Sequence, residues 1–483
     1  MGQRRSGIGI AAFLGACFAP LIASGAGGQS VRELWRNECA SCHGEDGSGG
    51  NATSLLDDDW TLGGTYREMY RATAEGLVDL GMPAYEETLS DAEIWGLVAY
   101  MEELRARHER RRNPWAGADA SGVVRTMHHS YRIETMAEGD LDLPWGVAFA
   151  SDGSVLITER PGGLRVLADG ELTTVDGTPE VWAFGQGGML DVAVHPEHAE
   201  NGWVYLSFSE RWQENGRDVG MTKVVRGRVQ RSDDGFMWAD EEVIYEPPRG
   251  LGSRTGFHFG TRLVFDDGYL FFSIGDRGRK DDAQDLGRPN GKTHRLHDDG
   301  RVPDDNPFVG REGALATVWS YGHRNAQGTV FDPSGRLWVT EHGPRGGDEL
   351  NLVERGLNFG WPLVSYGINY NGRPFKQPWP DRLDGPDPGI TMPEAVWLPS
   401  IAVCGLSAGT GGLFPNWEGD LFAGGLAGQI VERIRVDEAG DVIEREPVFR
   451  NLGRVRDVKT APDGSIWIVL NGPNKVVRLA PAG

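Results

Sequence analysis

A strand, a tight turn and a second strand recur along most of this chain, and that repetition restricts the fold more than any other feature. The stretch from Trp145 to Glu159, turning at Asp152-Gly153, is echoed from Asp191 to Ser207 and, across Asp267-Gly268, from Arg262 to Phe271. Further echoes run from Gly328 to Thr340 across Ser334-Gly335, around Phe414 to Phe422, and from Val458 to Ile468 across Asp463-Gly464. Short β-branched and aromatic runs bounded by such turns are half-buried strands, and long helical patterns stop before residue 123. About six copies at a spacing of roughly sixty residues fit radially arranged blades with inserted loops. The expected architecture over residues 123–483 is therefore an all-β six-bladed β-propeller. Tyr131 to Met136 is expected to return to the last blade as an added strand that removes an open edge. A two-sheet sandwich competes, but it does not require one strand pair to recur.

The N-terminal region has a different texture, centred on Cys39-Ala40-Ser41-Cys42-His43. Two thiols three residues apart followed by an imidazole form the attachment site of a c-type haem: each thiol can bond a vinyl group, and the histidine reaches the iron. A zinc half-site would need a second ligand pair, and Cys17 and Cys404 are isolated. A redox dithiol would sit beside a βαβ unit, whereas helical patterns flank this motif. Met82, in Gly81-Met82-Pro83 ahead of a helix started by Ser90, is the expected second axial ligand. Its surroundings resemble the Met-Pro loop and final helix of class I cytochromes c, a context that Met69 and Met101 lack. Residues 31–105 thus read as a small all-α cytochrome c domain, and residues 106–122, Arg-rich and then rich in Ala, Gly and Ser, as a linker.

Arg4 and Arg5, an apolar run from Gly7 to Ala16 and the small residues from Ala23 to Ala26 make residues 1–26 an export signal, too short for a stable membrane span. Leu14-Gly15-Ala16-Cys17 offers a second processing site, at which Cys17 would be lipidated. Both readings place the mature protein in the periplasm. The excess of 70 Asp and Glu over 48 Lys and Arg disfavours nucleic acid and anionic membrane surfaces as partners. Cys404 is expected to be a buried, inert thiol.

Propellers bind ligands on their axis, where loops from all blades converge. His258 stands just ahead of an inner strand and has the pKa range of a general base, and Asp276 ends the paired strand, where it could orient that imidazole. Arg324 and Asn325 open the next blade. The Gly343-Pro344 turn could aim backbone carbonyls at a hard cation such as calcium. Arg454 and Arg456 flank Val455, so a period of two places them on one face as a carboxylate clamp.

With these stretches assembled, residues 123–482 resemble the soluble PQQ-dependent glucose/sorbosone dehydrogenases, and more closely their aldose sugar dehydrogenase branch. The matching motifs are Leu143-Pro144-Trp145-Gly146, Gly185-Gln186-Gly187-Gly188-Met189-Leu190, the His258 segment, Gly275-Asp276-Arg277-Gly278, Gly322-His323-Arg324-Asn325, Gly343-Pro344, Asn358-Phe359-Gly360-Trp361-Pro362 and Arg454-Val455-Arg456-Asp457. The resemblance implies PQQ on the axis, with its carboxylates held by Arg454 and Arg456 and its quinone by calcium on the Gly343 and Pro344 carbonyls. It implies His258 as base steadied by Asp276, Arg324 against the developing oxyanion, Asn325 on the cofactor rim and Gln186 on the sugar. Ser400 matches a cofactor-binding Thr of the glucose-specialised relatives. Where those relatives carry a lysine, this chain reads Gly425-Leu426-Ala427-Gly428-Gln429, so a broader aldose range is expected.

Taken together, these features predict a periplasmic quinohaemoprotein. It would oxidise aldoses to lactones with PQQ and calcium, and pass electrons through haem c to a downstream cytochrome or respiratory-chain acceptor. Two alternatives stand beside it: oxidation of another alcohol or aldehyde such as sorbosone, and a non-enzymatic glycan-binding propeller with a haem domain. Eight-bladed quinoprotein alcohol dehydrogenases and haem nitrite reductases need more repeats than this chain contains.

Overall fold

The computed structural model describes residues 29–57, 60–112, 117–232, 235–375 and 389–482. The expected export signal and Cys17 lie outside them.

The N-terminal unit is helical because apolar residues recur at helical spacing behind reciprocal caps. Ser30 and Glu33 bond to each other across the start of Val31–Leu34, and Thr65 and Glu68 do so for Tyr66–Ala74. Val31–Leu34 continues through a π-helical turn, Trp35–Cys39, into Ala40–His43, so the paired cysteines and the histidine close a helix. The long helix Asp91–Arg112 buries Ile94, Trp95, Leu97, Val98 and Met101 against Trp35, Met69 and Tyr70. It runs past the boundary expected at 105. Ion pairs Arg105–Glu102 and Arg107–Glu103, both at 2.8 Å, support a charged extension that has good helix formers but no apolar period to reveal it. No helix among the described residues is long and apolar enough to cross a membrane.

From Val124 onward the described residues form five sheets. Three are four-stranded. The eight-stranded sheet consists of two four-stranded meanders, one beginning at Pro144–Phe149 and the other at Met189–Val194, joined by a parallel contact in which Phe236 faces Val175. In the five-stranded sheet, Ser130–Ala137 pairs with Lys475–Pro481, so an early strand completes the last sheet as expected. The segment around Phe414 differs from expectation. It is a connection containing the short helix Pro415–Trp417, and the strand pair there is Val403–Ala408 with Leu421–Gly425. Gly405, Ser407 and Ala408 hide that first strand from a propensity reading.

The first strands of successive meanders are Pro144–Phe149, Met189–Val194, Leu263–Asp266, Ala326–Phe331, Val403–Ala408 and Arg454–Thr460. Each touches the next, and the last touches the first, which closes a ring. Register shifts interrupt all of them except Leu263–Asp266, near the start of the strand, where bulges re-aim side chains.

Arg262 fills the ring from within. Its side chain donates to Asp191 Oδ1 at 2.8 Å, to the Arg456 carbonyl at 2.7 Å and to the Gln327 carbonyl at 3.0 Å, and faces Asp457 at 3.4 Å. A weaker bond reaches the Trp145 carbonyl at 3.4 Å. One guanidinium, on a residue 1% exposed, thus ties strands from around the ring.

Candidate active site and haem cleft

Cys39, His43 and Met82 line one apolar cleft of about 770 Å³, measured out to its mouth, with Trp35, Trp60, Leu77 and Leu97. His43 Nδ1–H donates to the Thr53 carbonyl at 3.3 Å, which leaves Nε2 free to coordinate. Met82 sits on a turn fixed by two backbone bonds with Leu77, at 3.0 and 3.1 Å. Met69 and Met101 also reach the cleft but belong to the buried core. Burial pushes the Cys39 thiol up to about 12, the opposite of what a redox dithiol requires. Apolar walls, two thiols on one helix end, and a histidine and a methionine in the walls fit a covalently held haem.

At the ring, His258 and Asp276 come together as expected, although they belong to different loops. The imidazole Nδ1–H donates to Asp276 Oδ1 at 2.6 Å. The Gly278 amide donates to the same carboxylate at 2.7 Å, and Trp361 Nε1–H donates to its other oxygen at 2.8 Å. Burial would raise the Asp276 carboxyl, but these bonds and the nearby Arg324 hold it below the usual range. Burial lowers the His258 pKa, and the charges of Arg324 and Arg277 add to this against the opposing pull of Asp276. With Nδ1–H given to Asp276, Nε2 is the ring nitrogen left to accept a proton. His258 also adopts a left-handed backbone, φ 52°, a conformation that a non-glycine residue keeps only where its surroundings impose it. They do: Gln186 Oε1 accepts from the His258 amide at 2.8 Å, and the buried Arg277 holds the Thr255 carbonyl at 2.8 Å and also donates to the Phe257 carbonyl.

Arg324 is equally fixed. Its amide donates to Glu341 at 2.6 Å, its side chain donates to the His342 carbonyl at 2.9 Å and to the Tyr370 hydroxyl at 3.4 Å, and its guanidinium lies 5.2 Å from the Trp361 ring centre. Asn325 is buried beside it and accepts from the Gly260 amide at 3.3 Å. Arg456 stacks 3.7 Å over Trp145 and bonds Asn471 at 3.1 Å. A bulge between Val455 and Asp457 interrupts the simple alternation expected there, and Arg454 stands exposed at the strand's start. Burial, together with the charges of Arg262 and Arg454, lowers the Arg456 pKa. In a chain of net charge −22, this concentrates positive charge at one point, as a bound polyanion requires.

The Gly343-Pro344 turn supplies the opposite field. Both residues are buried, and neither carbonyl accepts a hydrogen bond among the described residues. With Arg324, Glu341 and Glu349 they line one small pocket. Burial pushes the Asp348 carboxyl up to about 6, and burial with the neighbouring Glu341 raises Glu349 well above its ordinary value. Unpaired carbonyl oxygens beside destabilised carboxylates suit a hard cation. The Ser400 hydroxyl donates to Asp348 at 2.9 and 2.8 Å, so it braces the carboxylate that holds the Gly343 amide at 3.0 Å. Cys404 is buried as expected, with its thiol donating to the Arg456 carbonyl at 2.9 Å.

Residue-level reading missed Glu341, which anchors Arg324; Trp361, which bonds Asp276; Tyr370; and His342. Burial and the charges of Arg324, Arg456 and His258 push the His342 imidazole down to about 3, and its Nε2 is buried without a partner. Trp361 lies within a motif quoted above, the one available signal.

Residues 141–478 match the glucose/sorbosone dehydrogenase family, and residues 26–101 match cytochrome c oxidase, cbb3-type, subunit III. Aldose sugar dehydrogenase YliI of Escherichia coli strain K12 is 40% identical over 349 residues, spanning 71% of this chain and 91% of that protein. The apo-form crystal structure of the soluble aldose sugar dehydrogenase from Escherichia coli aligns at 39% identity with a TM-score of 0.66, over 73% of this chain and 99% of that one. The PQQ-bound aldose sugar dehydrogenase from Streptomyces coelicolor aligns at 25% identity with a TM-score of 0.59, over 72% and 98%. With its ring, its dyad and its helical haem-type cleft accounted for, the chain belongs to the glucose/sorbosone dehydrogenase family of oxidoreductases and carries a cytochrome c domain at its N-terminus.

Proposed function

We propose that the protein is a periplasmic quinohaemoprotein that oxidises aldoses to lactones on a six-bladed β-propeller and passes the electrons to haem c. The closed ring of six first strands supports the blade count. The observation that carries the function is the hydrogen bond that locks His258 to Asp276, with Arg324 nearby.

Arg454 and Arg456 would hold the carboxylates of PQQ, with Asn325 at its rim, and the Gly343 and Pro344 carbonyls would hold calcium. Bound there, the quinone would supply a two-electron acceptor whose carbonyl the cation polarises. His258 Nε2 takes the proton of the anomeric hydroxyl, and Asp276 stabilises the imidazolium that results. Arg324, immobilised by Glu341 and the His342 carbonyl, offsets negative charge on the sugar oxygen without reorganising. Gln186 holds the His258 backbone through its side-chain oxygen and leaves its amide nitrogen for the sugar. In the helical domain, Cys39 and Cys42 would carry the thioether bonds, and His43 and Met82 would occupy the axial positions. A downstream cytochrome or respiratory-chain acceptor would reoxidise the haem, with Cys17 available as a lipid anchor.

Loading the protein with PQQ and calcium and then adding an aldose should reduce the haem, read as the sharpened absorbance of ferrous haem. No absorbance change with any aldose tested would defeat the proposal.

A further inference from the structure

The two domains are fastened together rather than merely tethered. Arg345 directly follows the Gly343-Pro344 turn and grips Glu103 of the helix Asp91–Arg112 with two parallel bonds, Nε to Oε1 at 2.9 Å and Nη2 to Oε2 at 2.7 Å. Glu103 is buried, at 7% exposed, while the Arg345 side chain is 38% exposed, so the pair lies at the rim of the contact. Arg345 exchanges two backbone bonds with Ile368, both at 2.9 Å. Ile368 and Tyr366, 1% and 4% exposed, belong to the same apolar cluster as Trp35, Trp95 and Met101, so the helical core continues into the ring domain. The Val31 amide donates to the Gly372 carbonyl at 2.8 Å. At Gly96 a Cβ would come within 2.7 Å of Val31, so the glycine lets the two helices of the N-terminal domain pack closely, and it would stand in ordinary contact, 3.6 Å, with Pro374 of the ring domain.

A single helix serves both sites. Leu97 and Met101, one turn apart, line the haem cleft. Gly96 and Glu103, two turns apart, meet the ring domain. The segment that packs on the helix also reaches the other site, because the Tyr370 hydroxyl accepts from Arg324 at 3.4 Å. Packed and bonded contacts therefore run without a break from Arg324 and the Gly343 turn to the wall of the haem cleft. An apolar, ion-paired interface of this kind suppresses the relative motion otherwise expected of linked domains.

Building on the proposed function, we infer that the helix Asp91–Arg112 and the segment 364–374 form a fixed electron-transfer interface, latched by Arg345 and Glu103. Each aldose oxidised releases two electrons and two protons. The electrons cross the interface singly, each converting Fe(III) to Fe(II), and a one-electron acceptor outside the chain reoxidises the iron between crossings.

The test uses Glu103→Arg in the full-length protein loaded with PQQ, calcium and haem. Two rates are compared: sugar oxidation with a small dye that draws electrons directly from the ring domain, and haem reduction by sugar in a stopped-flow single turnover. Dye-linked turnover should stay at the wild-type level while haem reduction slows by about tenfold or more, because a buried carboxylate is replaced by a like charge facing Arg345. The swap Glu103→Arg with Arg345→Glu should recover most of the rate, and the size-conserving Glu103→Gln should show the same direction with a smaller effect. Unchanged haem reduction in Glu103→Arg and Glu103→Gln would overturn the interface. Wild-type protein without dye-linked turnover would instead break the functional reading beneath it.

Discussion

The walls of the haem cleft come from one stretch between Trp35 and Met101, whereas the groups at the ring's mouth are gathered from Gln186 to Arg456. The cleft is apolar and its polar atoms are few: His43 needs only the Thr53 carbonyl behind it. The mouth is the reverse, a network in which Asp276, Glu341, Arg324 and Trp361 fix one another. Under the proposed function, the contrast follows from how each group would be attached. A group bound through thioethers needs a local motif and a greasy slot. An anionic group held by charge alone needs converging cations, and these converge only if distant strands are locked in register.

This contrast can be broken experimentally. Its strongest test is Cys39→Ala with Cys42→Ala, which should abolish covalent haem and its visible absorbance while dye-linked sugar oxidation persists; loss of both would mean that the two regions are not independently built. Next, His258→Ala should lower kcat by about 10² to 10⁴, the usual contribution of a general base, with PQQ uptake and the haem spectrum unchanged. Arg262→Met removes a guanidinium from between Asp191 and Asp457 and leaves buried carboxylates unpaired. It should cost about 3 to 5 kcal/mol in urea unfolding of the ring domain, against an unaltered haem-domain transition. The smallest effect concerns pH. Because burial and neighbouring cations hold His258 below the ordinary histidine value of about 6.5, the base stays unprotonated as pH falls through that value. The acid limb of kcat/KM, which reports the free enzyme, should therefore lie below about 6.5, with no matching transition in the haem spectrum. A limb at or above that value would mean that Asp276 outweighs burial.

Much of this was legible in the sequence, for reasons that follow the same contrast. Cys39, Cys42 and His43 stand out by their spacing and Met82 by its resemblance to a Met-Pro loop, and Cys39, His43 and Met82 do line one cleft. The strand repeats could be read because turn residues punctuate them. His258 and Asp276 were found as polar groups at strand ends, and they do meet. Arg262 stood in plain view two residues beyond Gly260, yet its partners lie 71 and 194 residues away, beyond any local pattern. Trp361 and Glu341 are missed for the same reason. Ser400 shows what analogy leaves out: its position matches a relative's cofactor-binding residue, and its hydroxyl also donates to Asp348. The bulge at Arg456 and the charged continuation of the helix to Arg112 both break the periodicities on which such reading depends.

Because Arg262 joins Asp191 to the Gln327 and Arg456 carbonyls, strands far apart in the chain share one keystone, and loosening any of them should loosen the rest.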